Sequence, residues 1–203
     1  MNNIPEKEDY MFERFIKVMN GYKSTSHLTT LDIGCANGVL IDVLKKYDNT
    51  CYGVDFNDDA VRTYQQKNPQ SHVELYDINK VADDFPFAQM KFDVIMCFDV
   101  IEHLLNFNNL KAILQNNLTG DGLFVITTPN ANALEKIINS NYSGEYDKSH
   151  TMLFTPYTLD FFLRRAGLTK VLLYTPYTFM FFPNVINKAV LRGGQIFGIY
   201  KNG

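Results

Sequence analysis

Two kinds of apolar spacing alternate along the chain. Short, nearly continuous apolar runs end at Ile33, at Asp55 (51–54) and at Asp77 (72–76), and two more cover 92–98 and 123–127. Runs this short and continuous predict strands buried on both faces, as central parallel strands are. Between them, apolar residues recur three and four apart. One such series occupies 11, 12, 15, 16 and 19 before a stop at Gly21, and another is Val39, Leu40, Val43, Leu44 and Tyr47. A third runs from Leu104 through Leu105, Phe107, Leu110, Ile113 and Leu114 to Leu118. Each predicts a helix. Asn57 is a fitting N-cap ahead of Asp58 and Asp59, which favour the positive end of a helix. Gly120, Asp121 and Gly122 turn the chain into the fifth strand. Thr155-Pro156 opens a helix with Leu159, Phe162, Leu163 and Ala166 inward and Gly167 as its end. Residues 168–174 and 195–200 read as sixth and seventh strands.

Strands alternating with helices at this pitch predict an α/β fold, a doubly wound, mostly parallel sheet. A single domain over 1–203 is expected, with an N-terminal helix over 8–20, a first half over 29–128, and a loop plus C-terminal part over 129–203. The stretch 129–150 is rich in Asn, Ser and Gly, with one helical patch at 134–138, and follows a strand's carboxyl end, where open α/β sheets hold ligands.

Composition narrows the function classes. The 203 residues suffice for one substantial core. Lys and Arg number 19 against 22 Asp and Glu, a net charge of −3, and no basic run occurs, so a nucleic-acid partner is not expected. The first nine residues are polar and acidic, unlike a signal peptide, and no apolar run reaches membrane-spanning length. Cys35, Cys51 and Cys97 lie in or beside apolar strands without metal-type spacing, which predicts buried thiols in a reducing, cytoplasmic setting.

The candidate chemistry centres on Leu31-Asp32-Ile33-Gly34-Cys35-Ala36-Asn37-Gly38, a strand running into a small-residue turn that opens a helix. Such a turn brings backbone N–H groups close to a ligand. Asp32 stands just inside it, where a carboxylate meets a cation. Asp55 follows 21 positions after Gly34, about where nucleotide folds place an acid for a ribose diol. A dinucleotide fingerprint would need Gly at 36 and Gly or Ala at 39; Ala36 and Val39 stand there instead.

The turn resembles motif I, (L)D-x-G-x-G-x-G, of class I S-adenosylmethionine-dependent methyltransferases. Ala36 replaces its middle glycine, an exchange that suits a negative φ. The run from Phe92 to Leu104, FDVIMCFDVIEHL, is similar to the motif F-D-x-I-x-x-x-x-V-L-E-H-L of a small-molecule group. That group includes the ubiquinone-biosynthesis O-methyltransferases. GLFVITTPN at 122–130 resembles its fifth-strand motif, and HTMLFTP at 150–156 with Ala166-Gly167-Leu168 its H-x-x-x-F-(S/T)-P…A-G-F segment. The matches keep their order and cover about residues 30 to 170.

The resemblance implies a seven-stranded Rossmann-like sheet with an antiparallel last strand, and S-adenosylmethionine as cofactor. The backbone of Gly34, Cys35 and Gly38 would meet its amino-acid part and ribose, with Asp32 behind. Asp55 would take the ribose hydroxyls and Phe56 would lie against the adenine. Asp77 would accept from the adenine amino group, Ile78 would flank the ring, and Phe98 would offer backbone near the ammonium. The expected reaction is methyl transfer to a small molecule, most readily an oxygen nucleophile, without a metal. His103 and His150 are the candidate proton acceptors, against plainer readings as a helix-start residue and a loop anchor. His27 and His72 read as surface residues.

Two alternatives belong beside this one. Asp99, Glu102, His103 and His150 echo the metal cluster of small-RNA 3′-terminal ribose methyltransferases, and a catalytically silent cofactor-binding protein would keep the same turn. The aromatic stretch 174–183 suits an apolar substrate wall, a homodimer face or plain core.

Overall fold

The structure is a computed structural model and describes residues 12, 15–80, 84–133, 147–175 and 193–203. Strands β1 (Thr29–Ile33), β2 (Thr50–Asp55), β3 (His72–Leu75), β4 (Phe92–Phe98), β5 (Leu118–Pro129), β6 (Leu168–Tyr174) and β7 (Gln195–Asn202) form one sheet. Its order is β3-β2-β1-β4-β5-β7-β6. The first five pair in parallel, and β7 runs antiparallel to both β5 and β6. Helices α1 (Val39–Lys45), α2 (Asp58–Lys67), α3 (Asn108–Asn117) and α4 (Pro156–Arg165) complete the alternation, with one 3₁₀ turn at Ile101–His103.

The near-continuous apolar strands are explained by burial on both faces. Along β4, Phe92, Ile95 and Cys97 join one core and Val94 and Met96 the other. On β1, Leu31 and Ile33 enter the first of these cores, so Asp32 between them points to the opposite face. Asn57 caps α2 by accepting from the Ala60 N–H at 3.2 Å. Thr155 and Thr158 cap α4 reciprocally. Of the expected N-terminal helix over 8–20, helical backbone is described at 12 and 15–19. The Phe15 ring stacks on Phe197 at 4.9 Å and meets Phe98 edge-on at 5.5 Å.

The sheet order reverses between β1 and β4, and register aligns the strand ends there. Ile33 pairs with Val54 and with Cys97, and Phe98 with Thr127. Gly34, Asp55, Asp77 and Asp99 therefore leave the sheet along one edge, the carboxyl edge of a topological switch point.

Two boundaries differ from the apolar pattern. The helix expected from Leu104 begins only at Asn108. Leu104 is buried as its spacing requires, yet Leu105 is 73% exposed, and the Asn106 side chain accepts from the Asn108 N–H at 3.1 Å, an Asx turn that starts the helix late. The fifth strand starts earlier than 123. Leu118 already pairs with Phe92, and the next pair is Val94 with Leu123, so 120–122 is a bulge inside the strand rather than a turn before it. The patch 134–138 and most of 174–183 lie outside the described residues. Among the described residues, no helix is long and apolar enough to cross a membrane.

Candidate active site

The turn after β1 is built from backbone bonds and one carboxylate. Gly34 and Cys35 both donate to the Val54 carbonyl, at 2.8 and 3.1 Å, and Gly38 donates to Cys35 O at 2.8 Å. Gly34, Ala36 and Gly38 have φ of +81°, +44° and +75°. The negative φ that would suit Ala36 is thus corrected: it is left-handed, at a cost of about 1–2 kcal/mol for a residue with a Cβ. Its N–H donates to Asp55 Oδ2 at 2.8 Å. Asp55 Oδ1 accepts from the Asn57 N–H, also at 2.8 Å, so this acid braces the turn and the start of α2 together. Each oxygen keeps a lone pair for a further donor.

A cavity of about 630 Å³ opens beside the turn, within the range of about 300–1,000 Å³ common for small-molecule sites. Asp55, Asp77, Ile78 and Phe98 line it, with Phe56, 74% exposed, at the rim. Asp77 Oδ1 accepts from the Asn79 N–H at 3.0 Å. A second cavity of about 330 Å³ lies on the other side of the turn, between Phe12, Asp32, Cys35 and Leu40. Gly34, Ala36, Phe98 and Asp99 line both.

Asp32 is 3% exposed, and among the described residues no cation pairs with it. Burial, then the charge of Asp55, pushes its carboxyl up to about 7. A buried acid lining a cavity is an orphan that a bound cation would relieve. The three cysteines are buried, and burial above all holds their thiols high, so none is an activated nucleophile.

His103, in the 3₁₀ turn after β4, also lines the larger cavity. Its Nδ1 faces the Ser149 carbonyl at 3.2 Å. A carbonyl only accepts, so Nδ1 carries the hydrogen, and in the neutral ring Nε2 is the acceptor. His150 lies edge-on to it, ring centroids 4.8 Å apart, and is not among the residues lining the cavity. Glu102 accepts from Thr128 Oγ1 at 2.9 Å, and its backbone carbonyl accepts from the N–H groups of Thr151 and Met152. Its carboxyl is pushed up to about 7, mainly by burial. Among the described residues, the metal-capable group is Glu102, His103 and His150, whose donor atoms lie within 4.8 Å of one another. Asp99 is turned instead to Gln195 and Thr127.

Sequence reasoning missed Gln195 and Asn109. The Asn109 amide donates to the carbonyls of Ile78 and Lys80, and Asn79 Oδ1 accepts from the Leu105 N–H at 2.8 Å. These bonds fix the loop carrying Asp77 and Ile78 to the segment below His103. Asn109 offered no local signal, since its burial and its partners exist only in the folded chain. Gln195 had none, being 96 positions from its partner. His27 and His72 are exposed, as expected.

Residues 8–173 match the family described as a methyltransferase domain. The ubiquinone biosynthesis O-methyltransferase of Glaesserella parasuis is 28% identical over 66% of this chain and 68% of its own length. The magnesium protoporphyrin IX methyltransferase of Synechocystis PCC 6803, crystallised with bound SAH, superposes with a TM-score of 0.68 at 14% identity, over 97% of this chain and 84% of its own. A SAM-dependent methyltransferase from Archaeoglobus fulgidus gives 0.66 at 21% identity, over 96% and 94%. These two likenesses establish the shared fold.

Proposed function

The chain belongs to the methyltransferase domain family, and from there we propose that it methylates a small molecule at an oxygen nucleophile. It is an S-adenosylmethionine-dependent enzyme of the Rossmann-like class. The observation that carries the acceptor reading is His103, on the wall of the cavity that Asp55 and Asp77 also line, with Nε2 free to accept a proton. The Glaesserella relative, named an O-methyltransferase, supports an oxygen acceptor, and the lack of any basic run supports a small one.

The residues suit the cofactor. Asp55 retains lone pairs for ribose hydroxyls, Phe56 would lie against the adenine, and Asp77 and Ile78 would hold its edge and side. The backbone of Gly34, Cys35, Gly38 and Phe98 would meet the amino-acid part, and Asp32 its ammonium. S-adenosylmethionine supplies a methyl group already activated by a sulfonium, so alignment carries much of the rate. His103 would take the acceptor's proton, with His150 orienting it.

Calorimetric titration with S-adenosylmethionine and with its demethylated product is the direct test. Asp55→Ala weakens both by about 1–3 kcal/mol, since it removes a charged acceptor. Asp55→Asn keeps an acceptor and loses less. No heat with either ligand from folded wild-type protein ends the cofactor reading. Labelled methyl transfer into a metabolite pool then tests the acceptor, and label found only in RNA overturns the small-molecule reading.

Asp32 gives a pH signature. Its pKa, raised in the folded state, means that folded protein holds a proton between pH 3.8 and about 7 that unfolded protein has released. Stability of the ligand-free protein therefore falls as pH rises through that window. A cation against Asp32 lowers the pKa, so cofactor binding at pH 7 releases protons. Titrations in buffers of different ionisation enthalpy read that number directly; zero release or net uptake contradicts the assignment.

A second reading rests on the convergence of Glu102, His103 and His150. Two imidazoles and a carboxylate suit a divalent cation such as Mn²⁺, which would activate an acceptor hydroxyl.

A further inference from the structure

Asp99 stands where the two cavities meet. Of the four residues lining both, it alone is ionisable. Its backbone is left-handed, φ +54°, and its N–H donates to the Thr127 carbonyl at 3.1 Å. Gln195 Nε2 approaches both carboxylate oxygens, at 2.7 and 2.9 Å, and Thr127 Oγ1 donates to Oδ1 at 3.1 Å. A strained backbone position and three donor contacts give this one carboxylate a fixed orientation. Fixed charges of this kind act on charge that appears or vanishes at a defined place.

The acids expected for the adenosine half line the larger cavity, whereas Asp32 lines the smaller. The sulfur is the atom joining the two halves of the cofactor, so it falls at the junction. We propose that Asp99, oriented by Gln195 and Thr127, faces the sulfonium and makes the protein discriminate the charged methyl donor from its neutral demethylated product. The inference rests on the cofactor reading above. Transfer removes the positive charge from sulfur. A carboxylate there holds the donor and loses that attraction once the methyl has left, which favours product release. Gln195 is a positioning residue that acts through Asp99.

The test compares affinities in ligand-free protein, by calorimetry, for three ligands. They are S-adenosylmethionine, S-adenosylhomocysteine and sinefungin, which carries an amine near the sulfonium position. Asp99→Asn keeps the size and the tolerance of positive φ. It should lower the preference for S-adenosylmethionine over S-adenosylhomocysteine by about tenfold, the scale of one charge interaction at a partly wet site. Sinefungin should follow S-adenosylmethionine, and affinity for S-adenosylhomocysteine should barely move. Gln195→Ala should shift the same ratio less, and it decides the matter if Asp99→Asn fails to fold. Equal weakening of all three ligands, or an unchanged ratio, overturns the proposal while leaving the cofactor reading intact. Wild-type protein that binds none of the three ends both.

Discussion

Replacing His103 with Ala lowers kcat by about 10²–10⁴-fold, the range for losing a positioned general base. The cofactor's dissociation constant stays near the wild-type value, because His103 is not among the residues proposed to hold the cofactor. His150→Ala should cost less, since that ring reaches the cavity through its edge contact with His103 rather than by lining it. Equal and total loss in both, together with inactivation by a chelator and rescue by Mn²⁺ or Mg²⁺, would mean that the histidines hold a cation with Glu102. If chelation leaves turnover unchanged, the base reading stands.

Gly38→Ala is expected to cost about 2–5 kcal/mol of stability. Two effects add. A Cβ at φ +75° carries a left-handed penalty of about 1–2 kcal/mol. It would also sit 2.2 Å from Cε2 of the Tyr64 ring. That ring is 3% exposed and tied down by its hydroxyl, which donates to Asp42 at 2.6 Å, so it has little room to retreat. Overpacking of this kind typically costs about 1–3 kcal/mol. For a chain of this size the midpoint of thermal unfolding should fall by roughly 4–20 °C. In a Tyr64→Ala background the penalty should shrink to its backbone share. An undiminished loss in the double variant would assign the glycine requirement to φ alone.

The fold was legible because its strands are buried on both faces and its helices on one. Continuous and three-four apolar spacing are what those environments require, and Asn57 and Thr155-Pro156 marked two helix starts by cap chemistry. The late start of α3 was not read. Leu104 satisfies a helical spacing while packing from a non-helical segment, and apolar pattern reports burial, not backbone. The turn's acids were placed by local spacing, Asp55 following Gly34 through one strand–helix–strand unit. The left-handed φ of Ala36 had no trace in composition, since it belongs to the closed turn, in which its N–H donates to Asp55. Gln195 and Asn109 were invisible for a different reason. Their partners are set by which strands and loops become neighbours, and that is a property of the closed sheet.

The position of β7 has a consequence for biosynthesis. It is the last of the seven strands along the chain, yet it lies inside the sheet, between β5 and β6. A nascent chain emerging from the ribosome therefore has the backbone of β5 on offer along an unpaired edge, and β6 without its sheet neighbour, until β7 arrives. Such edges invite pairing with other chains, and delay in filling them favours holding by chaperones. Vectorial folding can prepare the glycine turn and Asp55 early. Asp99 gains the grip of Gln195 only when β7 slides in, so the pocket is finished well after the turn and Asp55 have been made.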